Sequence, residues 1–447
     1  MASPTSDQLV PYLDQAMFLG LRATGQAAVM QCVWIYEHPV DYEGLRRFHR
    51  NFGYGLAGRH IEPSPLPFGR HRWVESLGPE SEIDIAEDVL PRAALSDWLD
   101  ARAQVPVDPE WGPGWHMAVQ PLDDGATAVT LVGSHCLSDG GGALLTVFNA
   151  VTGNTEGLGY APPKVRTRRQ AVVEDLRQLA RDLPETGRTV AAAARLAYSR
   201  RKEFARPAKP ARDPGPDEAI VTPAISVFVD GGPWDARAEA LGGNTYSLLA
   251  GVAARLSQRM GRHRPEDGAV AFTIPINDRS LGDNRANAVT LATAHIDPSR
   301  VTEDLTGVRA EIKRALQTMR EEPDETLALL PLVPFIPKRA VQAMADVAFG
   351  FSDLRVSCSN LGTLPVEIGR ADGTDAEFVT MRGVDGYISR RVLEERSGIL
   401  TVVGARIGDK VSIAVIGYQP GAENTKAWLA QQVMDTLAEF DLPATAI

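Results

Sequence analysis

Apolar residues along this chain of 447 residues follow two rhythms, one of helices and one of strands. Near the start, Leu9, Leu13, Met17 and Phe18 fall mostly three to four apart, as on one face of an amphipathic helix. A strand-like run follows, Ala28-Val-Met-Gln-Cys-Val-Trp-Ile-Tyr36, and then a second helical pattern from Tyr42 to Phe52. Pro63, Pro65 and Pro67 end regular structure there. Residues 115–121 and 126–134 read as two strands joined by Asp123-Asp-Gly125, a hairpin signal. The second strand runs straight into His135. Beyond Gly140-Gly-Gly142, the stretch Ala143-Leu-Leu-Thr-Val-Phe148 reads as the start of a buried helix.

The second half repeats the mixture. A strand is expected over 219–229 and a helix over 235–260, ending at Gly261. Strands follow at 269–276 and 288–296. A helix then presents Leu305, Val308, Ile312, Leu316 and Met319 on one face. Further strands fall near 354–358, 398–406 and 410–418, and a closing helix covers 424–439. Between the halves, residues 164–212 carry 14 Lys/Arg against 5 Asp/Glu, in a chain whose net charge is −11. The first part of that stretch reads as a helix. The part from Ala205 to Pro216, with four prolines, reads as an exposed linker. The expected organisation is α/β, with an N-terminal unit over 1–175, a basic crossover and linker over 176–218, and a C-terminal unit over 219–447.

Composition narrows the function. The acidic balance argues against general nucleic-acid binding, which needs a basic footprint. The first residues lack the cationic start and apolar core of a signal peptide, and no apolar stretch reaches bilayer-spanning length. Cys32, Cys136 and Cys358 are odd in number and far apart, so neither a disulfide framework nor paired metal-ligand spacing is expected. A reducing cytoplasm is the simplest setting, and a monomer the simplest state. His38, His49, His60 and His71 recur eleven apart, but Pro39 and the later prolines break any single helix that would align them. No metal is expected. The basic stretch suits the phosphates of coenzyme A, a carrier protein's acidic surface, anionic lipid, or simply a solvated helix face.

The chemistry centres on Ser134-His-Cys-Leu-Ser-Asp-Gly140. His-x-x-x-Asp-Gly is a weak motif, and a second copy occurs at His263-Arg-Pro-Glu-Asp267-Gly268. Context separates the two. His135 ends an apolar strand and precedes a glycine-rich turn and an apolar helix, where side chains are held on a short loop between rigid elements. His263 ends a helix among charged neighbours and Pro265, which reads as a solvated turn. Imidazole, with an ordinary pKa near 6.5, suits a general base working near neutral pH. The glycines let backbone N–H groups approach a substrate. Asp139, if it turned away from His135, would need a cationic partner to be buried. On the motif alone, His135 is either this catalyst or a hydrogen-bonded structural residue.

Several stretches, in order, resemble the thioester-dependent acyltransferases with the His-x-x-x-Asp motif. They are Asp14-Gln-Ala-Met-Phe-Leu19, His135–Gly140, Gly242-Gly-Asn-Thr-Tyr-Ser-Leu-Leu249, Ile274-Pro-Ile-Asn-Asp-Arg279 with Asn284-Arg-Ala-Asn287, and Ser359-Asn-Leu-Gly362. The pattern is most similar to the wax ester synthase/diacylglycerol acyltransferases, then to condensation domains and polyketide-associated acyltransferases. The resemblance implies two chloramphenicol-acetyltransferase-like subdomains, each a mixed sheet with flanking helices, meeting at an active-site tunnel. It implies that His135 is the base that moves an acyl group from acyl-CoA or an acyl carrier protein to an alcohol or amine, without a cofactor. Asp139 would be structural and paired with Arg279. Gly140 would lie beside the thioester, while Ser359 and Asn360 would be polar contacts near the oxyanion or a plain loop turn. Two departures matter. Ser134 stands where many relatives have a second histidine, which bears on how the acceptor is held. Ser247-Leu248 stands where wax ester synthases carry Asn-Asp. The alternative is an inactive, condensation-like module that docks a carrier protein or an acyl ligand.

Overall fold

A computed structural model of the protein describes residues 8–199, 218–280, 282–321, 327–337 and 354–447. Chain order begins α1 (Tyr12–Thr24), β1 (Ala27–Tyr36), α2 (Tyr42–Phe52), β2 (Arg59–Glu62), β3 (Arg72–Glu75), β4 (Asp84–Ile85) and α3 (Leu95–Ala103). It continues β5 (Trp115–Pro121), β6 (Thr127–Ser134), α4 (Gly140–Thr152) and α5 (Arg168–Ser199). β1 is apolar at nearly every position because both of its faces are covered. Trp34 and Tyr36 pack with Phe48 and Phe52 of α2 and Val147 of α4, while Val33 and Ile35 pack with Leu95 and Leu99 of α3.

The second half runs β7 (Ala224–Asp230), α6 (Gly231–Ala240), α7 (Thr245–Arg259), β8 (Val270–Asn277), β9 (Val289–Ile296), α8 (Thr306–Glu321) and β10 (Val356–Leu364). It ends with β11 (Phe378–Gly386), α9 (Arg390–Glu395), β12 (Ile399–Ile407), β13 (Lys410–Tyr418), α10 (Lys426–Glu439) and β14 (Ala444–Ala446). Seven strands form one mixed sheet in the order β14-β7-β13-β12-β10-β8-β9, with β10 parallel to both β12 and β8. α7 is buried against it through Leu248, Leu249, Val252 and Ala253, with α8 and α10 beside it. Both bodies are thus sheets with flanking helices, as expected.

The elements differ from the sequence reading in informative places. The helix expected over 235–260 is two helices, broken at Gly242, whose φ of +71° glycine adopts freely. α7 then starts with a capping box: Asn244 Oδ1 accepts from Ser247 N at 2.9 Å, and Ser247 Oγ accepts from Asn244 N at 2.7 Å. Ser247 therefore serves the helix end. The strand expected near 354–358 runs on to Leu364, so Ser359 and Asn360 lie in a strand. The expected linker from Ala205 to Pro216 lies outside the described residues. β11 carries no recognisable strand pattern, and it crosses from the second half to become the edge of the first sheet, β11-β1-β6-β5-β4. The sheets therefore do not follow the linker. Arg382 of β11 is buried beside Asp100 of α3, 2.8 Å away in an ion pair without hydrogen-bond alignment, and its Nε donates to Gln31 Oε1 at 2.7 Å. Among the described residues, no helix is long and apolar enough to cross a membrane.

Two histidines buried in the first half make stability depend on pH. Burial lowers His71 and His116 to about 4, with Arg102 adding to the effect at His116. A base whose folded pKa lies below its unfolded value is stable neutral and must bind a proton as the chain unfolds. Its contribution is present above the unfolded value near 6.5 and is lost as pH falls toward the folded value. Each should cost about 2 kcal/mol at pH 5 relative to pH 8. Urea melts of the parent and of His116→Phe over that range would show it; an acid slope unchanged in the variant would remove His116 from the account.

Candidate active site

His135 stands immediately beyond β6. Its backbone N–H donates to Ala28 O at 3.0 Å, continuing the register in which Val29 faces Ser134. Strand alternation sends neighbouring side chains to opposite faces. Ser134 therefore turns the other way from the His135 ring. Its Oγ accepts from Cys136 N at 3.3 Å, and it lines an apolar cavity with Phe52, Leu56, Trp115, Leu131 and Val147. The His135 ring is half-buried, and its Nδ1 is shielded from solvent with no hydrogen-bond partner among the described residues.

The turn after His135 is held by a carboxylate with three partners. Asp139 Oδ1 caps α4 by accepting from Gly142 N at 2.7 Å and also accepts from Arg279 Nη2 at 2.9 Å. Its Oδ2 accepts from Ala288 N at 2.7 Å. The two side chains are only 3% and 6% exposed, so this is a buried, hydrogen-bonded pair. The other Arg279 guanidinium N–H groups at Nη1 and Nη2 go to the chain: Nη1 reaches Asp283 O at 3.1 Å and Arg285 O at 2.9 Å, and Nη2 reaches Ala286 O at 3.0 Å, while Nε has no partner among the described residues. A Cβ at Gly142 would meet Ser138 Oγ at 2.5 Å and Leu56 at 2.8 Å, so any larger residue here must displace those side chains.

Two further buried charges bolt the 283–288 loop to the first half, and sequence reasoning missed both. Asp14 of α1 accepts from Ala286 N and Asn287 N at 2.9 Å and from Asn287 Nδ2 at 3.0 Å. Burial raises its carboxyl above the usual range, with these hydrogen bonds opposing. Arg59 lies 3.8 Å over the Trp73 ring and donates to Asn284 O at 2.5 Å and Leu137 O at 2.9 Å. Asn287 Nδ2 also reaches His135 O at 3.3 Å. The only sequence signal for this latch was the resemblance around Asp14 and Asn284–Asn287.

Gly140 opens α4, with Leu361 Cδ2 placed 3.4 Å from where its Cβ would be. The Ser359–Gly362 segment of β10 thus faces the helix start. There Asn360 Oδ1 accepts from Gly362 N at 3.0 Å at a bulge where Gly362 has φ +76°. That contact engages the Asn360 oxygen and leaves its NH2 as the group free to donate outward.

A second carboxyl shares the neighbourhood. On β11, Asp385 pairs with Ala28, the residue whose other side faces His135. Opposed residues on adjacent strands project to one face, so Asp385 and His135 flank the Ala28 methyl, roughly 10 Å apart at Cα by two strand spacings. Burial raises the Asp385 carboxyl, and its electrostatic interactions with Arg396 and His135 oppose that. Its signal was invisible without knowing that β11 joins this sheet.

The cysteines are not nucleophiles here. All three are free and buried, and burial pushes Cys32, Cys136 and Cys358 up to about 12, leaving negligible thiolate at neutral pH. His263 lies before the Val270 end of β8, and Asn277 ends the strand on the active-site side, roughly 20 Å away by strand rise. Its neighbour Asp267 binds Arg264 and the Ala269 N–H.

No family model matches the sequence, and no curated protein matches it. Solved structures do. A wax ester synthase/diacylglycerol acyltransferase from Marinobacter aquaeolei VT8 aligns over 97% of this chain and 98% of its own, with TM-score 0.57 and 16% identity. The first condensation domain of the calcium-dependent antibiotic synthetase, in complex with a substrate analogue, aligns over 97% and 96%, with TM-score 0.56 and 14% identity. Polyketide synthase associated protein 5 from Mycobacterium tuberculosis aligns over 96% and 97%, with TM-score 0.52 and 12% identity. Across nearly its whole length, this chain has the fold of the wax ester synthases and condensation domains.

Proposed function

We propose that the protein is an acyltransferase that moves an acyl group from a thioester, on coenzyme A or a carrier protein, to a hydroxyl or amine. The observation that carries this reading is the His135 turn. The turn that carries this imidazole at the end of β6 is held from both halves through Asp139, Arg279 and the 283–288 loop. A condensation domain of the same fold was solved with C8-CoA, which supports a thioester as the donor.

In this mechanism the His135 imidazole takes the proton from the acceptor as its oxygen or nitrogen attacks the thioester carbonyl. The resulting oxyanion needs fixed donors; the Asn360 NH2 and the N–H groups of Gly140 and Gly141, which open α4 ahead of the Gly142 N–H that Asp139 caps, are the candidates. Collapse breaks the carbon–sulfur bond, and the imidazolium returns its proton to the departing thiolate. Asp139 shapes the turn.

The test is thiol release from a panel of acyl-CoA and acyl-carrier donors with alcohols and amines, with mass detection of the acylated acceptor. Acceptor-dependent release on at least one pair is expected. Tight donor binding with no product on any pair would favour the second reading, a non-catalytic binding module, to which the unpartnered Nδ1 of His135 and Ser134 point.

Asp385 offers a finer check. Asp385→Asn should lower kcat/KM about tenfold, because a nearby carboxylate stabilises the imidazolium formed during transfer. Its melting temperature should hold or rise, since burying that carboxyl is costly. Unchanged kinetics would remove Asp385 from the site.

A further inference from the structure

The basic stretch that the active site leaves unused resolves into three rows on α5 (Arg168–Ser199). Positions three and four apart share a helix face. Ala171, Asp175, Asp182 and Thr189 form one row and face the body. There Asp175 pairs with Arg166 at 3.1 Å and Arg72 at 3.6 Å, and Asp182 lies 3.9 Å from Arg70. Two of the helix's acids are thereby turned inward and neutralised.

The row facing outward is apolar. Val173, Leu176, Leu183, Val190 and Tyr198 are 45%, 47%, 57%, 53% and 70% exposed, and the small residues Ala180, Gly187 and Ala194 fill the stripe between them. Beside it runs a third row, Arg177, Arg181, Arg188 and Arg195, all exposed. Next to Leu179, the stacked rings of Phe68 and Phe335 extend the apolar surface. A helix that merely solvates its outer face has no reason to align its large apolar residues there.

We propose that α5 docks this protein on an anionic lipid surface. The apolar stripe would enter the boundary between headgroups and acyl chains while the arginine row reaches lipid phosphates, the arrangement of helices that lie in a membrane interface. Charge selects this occupant. An acidic protein surface would satisfy the arginines yet leave the apolar stripe facing polar groups, and a second copy of the helix would set arginine rows against each other. The proposal is independent of the catalytic reading.

The test mixes the full chain with sedimentable vesicles of phosphatidylcholine, alone or with about 30% phosphatidylglycerol. The parent should pellet with the anionic vesicles and be released as salt rises. Arg177→Gln/Arg181→Gln/Arg188→Gln/Arg195→Gln should weaken partitioning on the order of a hundredfold at low salt. Leu176→Ser/Leu183→Ser/Val190→Ser should weaken it at least about tenfold. All seven side chains are exposed, so circular dichroism should match the parent. Failure of the parent to bind, or equal binding by the serine variant, overturns the proposal. So does a parent dimer that the serine variant converts to a monomer without any vesicle binding, because a second copy then covers the stripe.

Discussion

His135→Ala is expected to slow thiol release by about two to four orders of magnitude while leaving the protein folded. The kinetic loss follows from removing the one group in the turn that suits proton transfer near neutral pH. The structural cost is small because the ring is half-buried and its Nδ1 has no partner to orphan. What holds the turn is backbone: His135 N to Ala28 O, and Asn287 Nδ2 to His135 O. Both survive the substitution. The measurement is single-turnover release from a saturating donor, beside a urea melt. Parent-like release from the alanine variant would exclude His135 as the base, and a collapsed melt would show that the ring is structural.

The second large effect is at Asp139, and here stability and activity should fall together. Asp139→Ala removes a helix cap, one half of a buried ion pair and the acceptor for Ala288 N. It leaves the Arg279 guanidinium enclosed without a counter-charge, which typically costs about 3–5 kcal/mol. Arg279→Met should cost a similar amount by stranding Asp139. The double variant Asp139→Ala/Arg279→Met should recover part of that, because no unpaired charge remains, yet it should stay slow in turnover. The Asp283, Arg285 and Ala286 carbonyls would have lost their donors, and the loop that carries Asn287 would no longer be held against His135. A double-mutant cycle with a coupling below about 0.5 kcal/mol would mean that the two charges act independently of one another.

The acid-sensitive histidines, Asp385 and the α5 surface rest on the same contrast. Each is a side chain whose sequence neighbours say little about its surroundings. His116 lies in a plain strand, yet burial decides its protonation. Asp385 lies between Val384 and Gly386 in a segment without strand periodicity, and only the pairing of β11 with β1 brings it alongside His135.

By itself the sequence determined what depends on nearby residues. The rhythm of apolar positions marked β1, β5, β6 and α4, because a buried strand or helix face must be apolar at a local period. The hairpin turn at Asp123–Gly125 and the glycines after Asp139 placed His135 between a strand and a helix, and that setting separated it from His263. Partners distant in the chain needed the tertiary structure. The 2.9 Å approach of Arg279 to Asp139 spans 140 residues, and its expectation came from resemblance. Asp14, Arg59 and Asn287 converge on one loop through hydrogen bonds that leave no periodic trace. The crossing of β11 was hidden because its glycines, Arg382 and Asp385 suit particular neighbours at the expense of strand propensity. Local order is written in spacing, whereas the active site is assembled by long-range pairing of buried polar groups, whose cost when unpaired is what makes the assembly specific.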